Sequence, residues 1–229
     1  MSIIIAFLVN HKFRHGRIAA VFAILLAVAL LISPRMMHSE GGPGDLWQTF
    51  SVNDGLGSGS VFAILPAQDG ALWFGTRGGG VGRCAADGSG CARRWTVAQG
   101  LPDNDVRALL ADGSGAWVGT ARGLAHVDGD LVAPDSRFNG VEIWSLARGA
   151  DGALLVGAGQ QGVWRRDSTG AWQNLSGASP LKGNVFALWA ERGGRVWAGT
   201  EQGLFFYTAH GRRLRFSLGF SGNVVCWCL

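Results

Sequence analysis

The segment Leu72-Trp73-Phe74-Gly75-Thr76 returns as Ala116-Trp117-Val118-Gly119-Thr120 and again as Val196-Trp197-Ala198-Gly199-Thr200. A weaker copy, Leu154-Leu155-Val156-Gly157-Ala158, falls between the second and third, and the steps are 44, 38 and 42 residues. Each copy is preceded by an apolar run: Val61-Phe62-Ala63-Ile64-Leu65, Val106-Arg107-Ala108-Leu109-Leu110, Ile143-Trp144-Ser145-Leu146 and Val185-Phe186-Ala187-Leu188-Trp189. A fifth start, Asn223-Val224-Val225-Cys226-Trp227, echoes Asn184-Val185. A period near 41 residues restricts the chain to architectures in which one small supersecondary unit recurs beside itself.

Each unit reads as four strands. The first run ends at a turn, Asp69-Gly70, Asp112-Gly113, Asp151-Gly152 or Gly193-Gly194. Such pairs between apolar runs signal hairpins, because both central residues of the turn need positive φ. The Trp-x-Gly-Thr strand follows, then a short turn to Gly80-Val81, Gly123-Leu124, Gly162-Val163 or Gly203-Leu204, which opens a third strand. A fourth carries an aromatic residue such as Trp95, Trp172 or Phe216. The expected class is all-β: a β-propeller of four-stranded antiparallel blades, with about four complete blades and an incomplete ring. Composition agrees. Gly supplies 37 of 229 residues, more than double the usual ~7 %. Ten Trp and 48 % apolar residues exclude a disordered chain, and the lack of a Gly-X-Y period excludes collagen.

This geometry gives the repeated residues structural roles. Trp73, Trp117 and Trp197 should pack between neighbouring sheets. Gly75, Gly119 and Gly199 should permit close blade-to-blade approach. Thr76, Thr120 and Thr200 suit a strand and can satisfy a nearby backbone group. The third unit lacks both Trp and Thr, so its packing is expected to be the weakest.

The run from Asp54-Gly55-Leu56 through Val61-Phe62-Ala63-Ile64 to Asp69-Gly70-Ala71-Leu72-Trp73-Phe74-Gly75-Thr76 resembles the two-component regulator propeller repeat. Gly100-Leu101-Pro102-Asp103-Asn104-Asp105-Val106, with Trp117-Val118-Gly119-Thr120 and Gly123-Leu124, follows the same pattern more closely. The resemblance covers roughly residues 45–229. It implies the extracytoplasmic sensor region of a membrane receptor whose output is a histidine kinase or a diguanylate cyclase. The family's propellers have about seven blades. Here residues 46–51 resemble an outermost strand without inner strands before it, and residues 223–229 resemble an innermost strand without partners. The expectation is a fragment that carries no output chemistry, and so no enzyme.

The N-terminus supplies an anchor. Residues 18–32 are fifteen without a charged or polar side chain, about 22 Å of helix. The expected layout is a cytoplasmic basic leader over 1–17, a transmembrane or signal-anchor helix over 18–33, a linker over 34–44 and the partial propeller over 45–229. A retained anchor is favoured over a cleaved signal because no Ala-x-Ala-like site follows. Lys12, Arg14 and Arg17 precede the run and Arg35 follows it, which places the propeller outside the cytoplasm, in the periplasm, on a single-pass inner-membrane anchor. Of the net charge of +4, only +1 remains after residue 40, too little for a nucleic-acid surface.

Other chemistry is sparse. Cys84 and Cys91 flank a plausible hairpin, and outside the cytoplasm they suit a cross-hairpin disulfide, the alternative being two free buried thiols. Cys226 and Cys228 lack His or Cys partners for a metal site, and no cofactor is implied. His126 and His210 read as surface histidines; His11, His15 and His38 precede the propeller. Arg77-Gly78-Gly79-Gly80 joins two strands, so no helix N-terminus is present for an anion. The candidate ligand surface is the face where loops between blades and loops after the second strands emerge. It holds Asn104, Asp105 and Asn184, with Arg77, Arg122, Gln161 and Glu201 at nearly equivalent positions whose tips should ring the channel. These suit a small polar ligand or an acidic saccharide, and the full-length receptor is expected to be a homodimer. Two other readings stand beside this one. The stretch from Leu72 through Arg83 is also similar to a repeat of streptogramin-lyase-type propellers, and a structural or protein-docking propeller is the third.

Overall fold

The computed structural model describes residues 49–86, 90–91, 93–177, 183–207 and 213–216, the last four by their backbone. The leader, the apolar run at 18–33, the linker and the fifth repeat start at 223–224 lie outside the described residues, as do His210, Cys226 and Cys228. Among the described residues no helix is long and apolar enough to cross a membrane.

All sixteen described strands lie in the unit Phe50–Leu229 and form four antiparallel four-stranded sheets. The first blade is β1 (Val61–Pro66), β2 (Leu72–Thr76), β3 (Gly80–Cys84) and β4 (Arg93–Trp95). The second is β5 (Val106–Asp112), β6 (Gly115–Thr120), β7 (Gly123–Asp128) and β8 (Leu131–Asp135). The third is β9 (Ile143–Arg148), β10 (Leu154–Ala158), β11 (Val163–Arg166) and β12 (Trp172–Asn174). The fourth is β13 (Val185–Ala190), β14 (Val196–Thr200), β15 (Gly203–Tyr207) and β16 (Arg213–Phe216). Each sheet is a meander in sequence order. The first strands neighbour one another, β1 against β5, β5 against β9 and β9 against β13, so they line the inside of the arc.

Three apolar layers hold neighbouring blades together. Trp73, Val81 and Trp95 meet Val106, Ala116, Val118, Ala125 and Val127 across the first interface. Trp117 and Leu124 meet Ile143, Leu154, Val156 and Ala158 across the second. Trp197 holds the corresponding position in the fourth blade, on the face turned away from the third, with the Phe206 ring 5.1 Å away. The third blade places Leu155 where the others have Trp. Leu155 is nonetheless only 1 % exposed, packed with Val163 and Leu175 against Val185, Val196, Phe205 and Tyr207. Two aromatic side chains from the fourth blade thus fill part of the space that the missing indole leaves. Ser176 adds a polar stitch, its Oγ accepting from Val163 N at 2.9 Å and lying 3.2 Å from the Tyr207 hydroxyl.

The repeated Gly sits where the next blade comes closest. A Cβ at Gly75 would stand 2.5 Å from Val106 Cγ1, and one at Gly119 2.7 Å from Ile143 Cγ2. At Gly157 it would meet Ser145 Oγ at 2.2 Å and Val185 O at 2.9 Å. The repeated Thr closes the following turn. Thr76, Thr120 and Thr200 donate from Oγ1 to the carbonyls of Gly80, Gly123 and Gly203 at 2.9, 2.8 and 2.9 Å.

Capped 3₁₀ turns lead into the first two blades. Ser51 and Thr96 cap the turns Val52–Asp54 and Val97–Gln99 by reciprocal side-chain and backbone bonds. Gly55 and Gly100 then take the left-handed conformation and deliver Leu56 and Leu101 into the core. Residues 49–51, expected within an outermost strand, are not in one, because Ser51 turns its N–H and hydroxyl onto the Asp54 carboxylate instead of pairing in a ladder. Residues 46–48 lie outside the described residues. Cys84 and Cys91 form a disulfide bridge.

Candidate functional site

The face where the first strands begin is shaped by a bulge repeated in every blade. Register skips one residue between Val61 and Ala63, Val106 and Ala108, Ile143 and Ser145, and Val185 and Ala187. The skipped residues are Phe62, Arg107, Trp144 and Phe186. A bulge frees its extra residue from the ladder and re-aims its side chain. On the innermost strands, these four stand nearer the middle of the arc than the turns after the second strands.

Three of them form one connected cluster. The Arg107 guanidinium lies 3.8 Å from the Trp144 ring centroid, and Trp144 meets Phe186 edge-on at 5.3 Å. Arg107 also pairs with Glu142 at 3.3 Å and Asp105 at 3.5 Å. Trp144 Nε1 donates to Glu142 at 3.0 Å. Asp105 Oδ1 is buried without a hydrogen-bond partner. Phe62, on the first blade, is 51 % exposed. The row offers aromatic surface, a fixed cation and two carboxylates at one mouth.

The residues singled out from sequence lie at this same end. Arg77 and Arg122 are exposed in the turns after β2 and β6, and neither is in an ion pair among the described residues. Gln161 ends the 3₁₀ turn Gly159–Gln161, exposed, and its carbonyl accepts from Asn174 Nδ2 at 3.2 Å. Glu201 and Asn184 come together: Asn184 Nδ2 donates to Glu201 Oε1 at 3.0 Å. Asn104 is spent on backbone, its Oδ1 accepting from Val97 N at 2.8 Å and its carbonyl from Gly80 N at 2.8 Å. Gly140 N likewise donates to the Arg122 carbonyl at 2.9 Å, so these turns fasten one blade to the next. Arg107, Trp144, Glu142 and Phe62 were missed in the sequence, although the first-strand alignment already puts Phe62, Arg107, Trp144 and Phe186 in one column.

The opposite end carries a second recurring set. Asp69 pairs with Arg83 and Asp151 with Arg165, and Asp112 lies 3.0 Å from His126 Nε2 and 3.1 Å from Arg148 Nη2. The Arg83 hydrogen bond, helped by Ala71 N–H, holds the Asp69 carboxyl below its usual range. Arg165 and Ala153 N–H do the same for Asp151, and the Thr169 hydroxyl does so for Asp167. His126 is half-buried with its ring 4.7 Å from Trp117. No group of three or more His, Cys, Asp or Glu among the described residues could hold a metal ion.

Residues 55–78 match the family model of the two component regulator propeller. Among solved structures, the chain is similar to the extracellular domain of BT3049 from B. thetaiotaomicron, assigned to a hybrid two component system. The TM-score is 0.57, with 20 % identity over 70 % of this chain and 22 % of that one. The extracellular domain of BT4673 from B. thetaiotaomicron, assigned to a one component system, gives a TM-score of 0.58 and 21 % identity over 69 % and 23 %. The WD40 β-propeller domain of Doa1 gives 0.52 and 11 % identity over 64 % and 50 %. At these identities the likeness establishes the fold. The chain spans under a quarter of the length of the two extracellular domains. A comparison with curated proteins gives no match. Over its described residues the chain is therefore an all-β, propeller-like array of four antiparallel blades, and residues 55–78 match the two component regulator propeller.

Proposed function

We propose that the chain is the extracytoplasmic ligand-sensing propeller of a membrane-bound signal-transduction receptor, whose kinase or cyclase output lies in the rest of that receptor. The observation that carries this reading is the regulator-propeller repeat at residues 55–78, in a fold like those of two extracellular domains assigned to regulatory systems. Two features support the compartment. The Cys84–Cys91 bridge suits an oxidising environment, and the apolar run at 18–32 follows a basic leader.

The ligand belongs at the bulge-side face. Arg77 and Arg122 supply exposed cations that are in no ion pair among the described residues, and Phe62 supplies exposed aromatic surface at the same end of the blades. A polar or anionic ligand such as an acidic saccharide matches that combination, through charge-assisted bonds to guanidinium and packing on the ring.

Reporter fusions after residue 44 test the compartment: alkaline phosphatase activity is expected, and a strong cytoplasmic reporter signal refutes it. The double variant Arg77→Ala, Arg122→Ala in the full-length receptor should abolish the response to its inducer at unchanged melting temperature. An intact response with intact expression removes both arginines from the site.

A further inference from the structure

At the end of the blades opposite the bulges, the spaces between neighbouring sheets are not equal. The strand positions that border them show why. Two columns of the repeat decide the size: the Trp column on the second strand of one blade, and the residue near the end of the first strand of the next. Between the first and second blades these are Trp73 and Ala111, and the cleft measures about 220 Å3. Between the second and third they are Trp117 and Arg148. There Arg148 reaches back across the gap, with Nη2 2.5 Å from Ala111 O and 3.1 Å from Asp112 Oδ1. Between the third and fourth they are Leu155 and Ala190, the smaller choice in both columns, and the cleft opens to about 510 Å3.

That volume lies within the range of small-molecule sites, ~300–1,000 Å3. Buried Leu155, Leu175 and Val196 give the cleft an apolar floor, with Ala190 at its side. Its polar lining is Asp151, Arg165, Gln173 and Arg192. Asp151 and Arg165 neutralise each other. Arg192 is exposed and is in no ion pair among the described residues, so one cation is left uncompensated at the rim. Gln173, also exposed, offers a donor and an acceptor.

We propose that the cleft between the third and fourth blades is a binding site for a small organic anion with an apolar body. The apolar part packs against Ala190, Val196 and Leu175 above the buried Leu155, and the carboxylate or sulfonate meets Arg192, with Gln173 within reach of a further polar group. This site is separate from the bulge-side face, and its test does not depend on that reading.

The probe is 2-naphthoate, titrated calorimetrically into the full chain, with neutral 2-naphthamide as its isostere. Expected are saturable binding of one naphthoate per chain and an amide at least about fivefold weaker. Arg192→Gln should bring the two probes to within about twofold of each other. Ala190→Arg and Leu155→Trp install the residues that other blades carry in these columns, and each should weaken naphthoate at least about tenfold. Absence of saturable binding up to about 5 mM overturns the proposal. So does unchanged affinity in either cleft-filling variant that retains the native circular dichroism. If neither of those variants folds, Arg192→Gln decides: a retained preference for the anion overturns the proposal, and a lost one supports it.

Discussion

Adding one methyl group at Gly75 should destabilise the fold, because the next blade already stands where the new carbon would go. A Cβ at Gly75 would stand 2.5 Å from Val106 Cγ1 and 3.1 Å from Val106 Cβ. Real contacts of that kind begin near 3.4 Å, and Val106 has little room to yield. It is fully buried, it is β-branched with few accessible rotamers, and it opens the innermost strand of the next blade. Relief must come from the sheets moving apart, which opens the layer holding Trp73, Trp95 and Val118. Overpacking of this kind costs about 2–3 kcal/mol. For a domain of this size that corresponds to a fall of roughly 4–12 °C in melting temperature. Urea unfolding of the full chain, followed by Trp fluorescence, measures the loss. The double variant Gly75→Ala, Val106→Ala should recover about 1–2 kcal/mol relative to the sum of the single changes. A loss at Gly75 below about 0.5 kcal/mol, or no coupling to Val106, would refute blade-to-blade approach as the reason for the glycine.

Three further outcomes are expected. Replacing Cys84 and Cys91 by Ser should lower stability by about 2 kcal/mol, the chain-entropy value for so short a loop, and mass spectrometry of unreduced peptides should find the pair oxidised; two free thiols would contradict the bridge. Thr120→Val keeps the shape but strips the hydroxyl that donates to Gly123 O, at a cost of about 1–2 kcal/mol, whereas Thr120→Ser should stay near wild type; equal losses in urea unfolding would count against the bond. Arg83 and Arg165 hold the Asp69 and Asp151 carboxyls below their usual range, so the stability they add is present above the ordinary value of about 3.9 and lost as pH falls through the lower folded values. Urea midpoints for Asp151→Asn should therefore decline less than wild type on acidification below about pH 4, and parallel declines would refute the linkage.

The blades were legible because their cause is local and repeated. An apolar run, a turn, Trp-x-Gly-Thr and a second Gly turn recur at a steady period, and each piece has one structural use. Thr reaches the carbonyl three or four residues on, Gly meets the next blade, and Trp73 and Trp117 fill the interfaces. The expectation of weak packing in the third blade agrees with the open cleft beside Leu155 and Ala190, but it missed a contribution from outside the unit deeper in the interface. Tyr207 and Phe205, some fifty residues after Leu155, close around it, and nothing within the third unit announces them. The candidate site was legible in part for a related reason. Its end of the blades followed from strand order, but the bulge that brings Arg107 over Trp144 depends on register between strands, which composition does not encode.

A division of labour among the columns of the repeat follows from these contacts. Residues that recur from blade to blade spend their chemistry on the fold: Thr76, Thr120 and Thr200 on glycine carbonyls, and Gly75 and Gly119 on side chains of the next blade. Such columns have little left for a ligand, however recognisable they make the chain. The columns that change are those facing open space. At one end the shared bulge carries three side-chain types in four blades, Phe62, Arg107, Trp144 and Phe186, and at the other Pro66, Ala111, Arg148 and Ala190 close or open a cleft. A ring built from near-identical sheets becomes asymmetric only where such positions diverge, and a single ligand on a repeating scaffold requires that asymmetry.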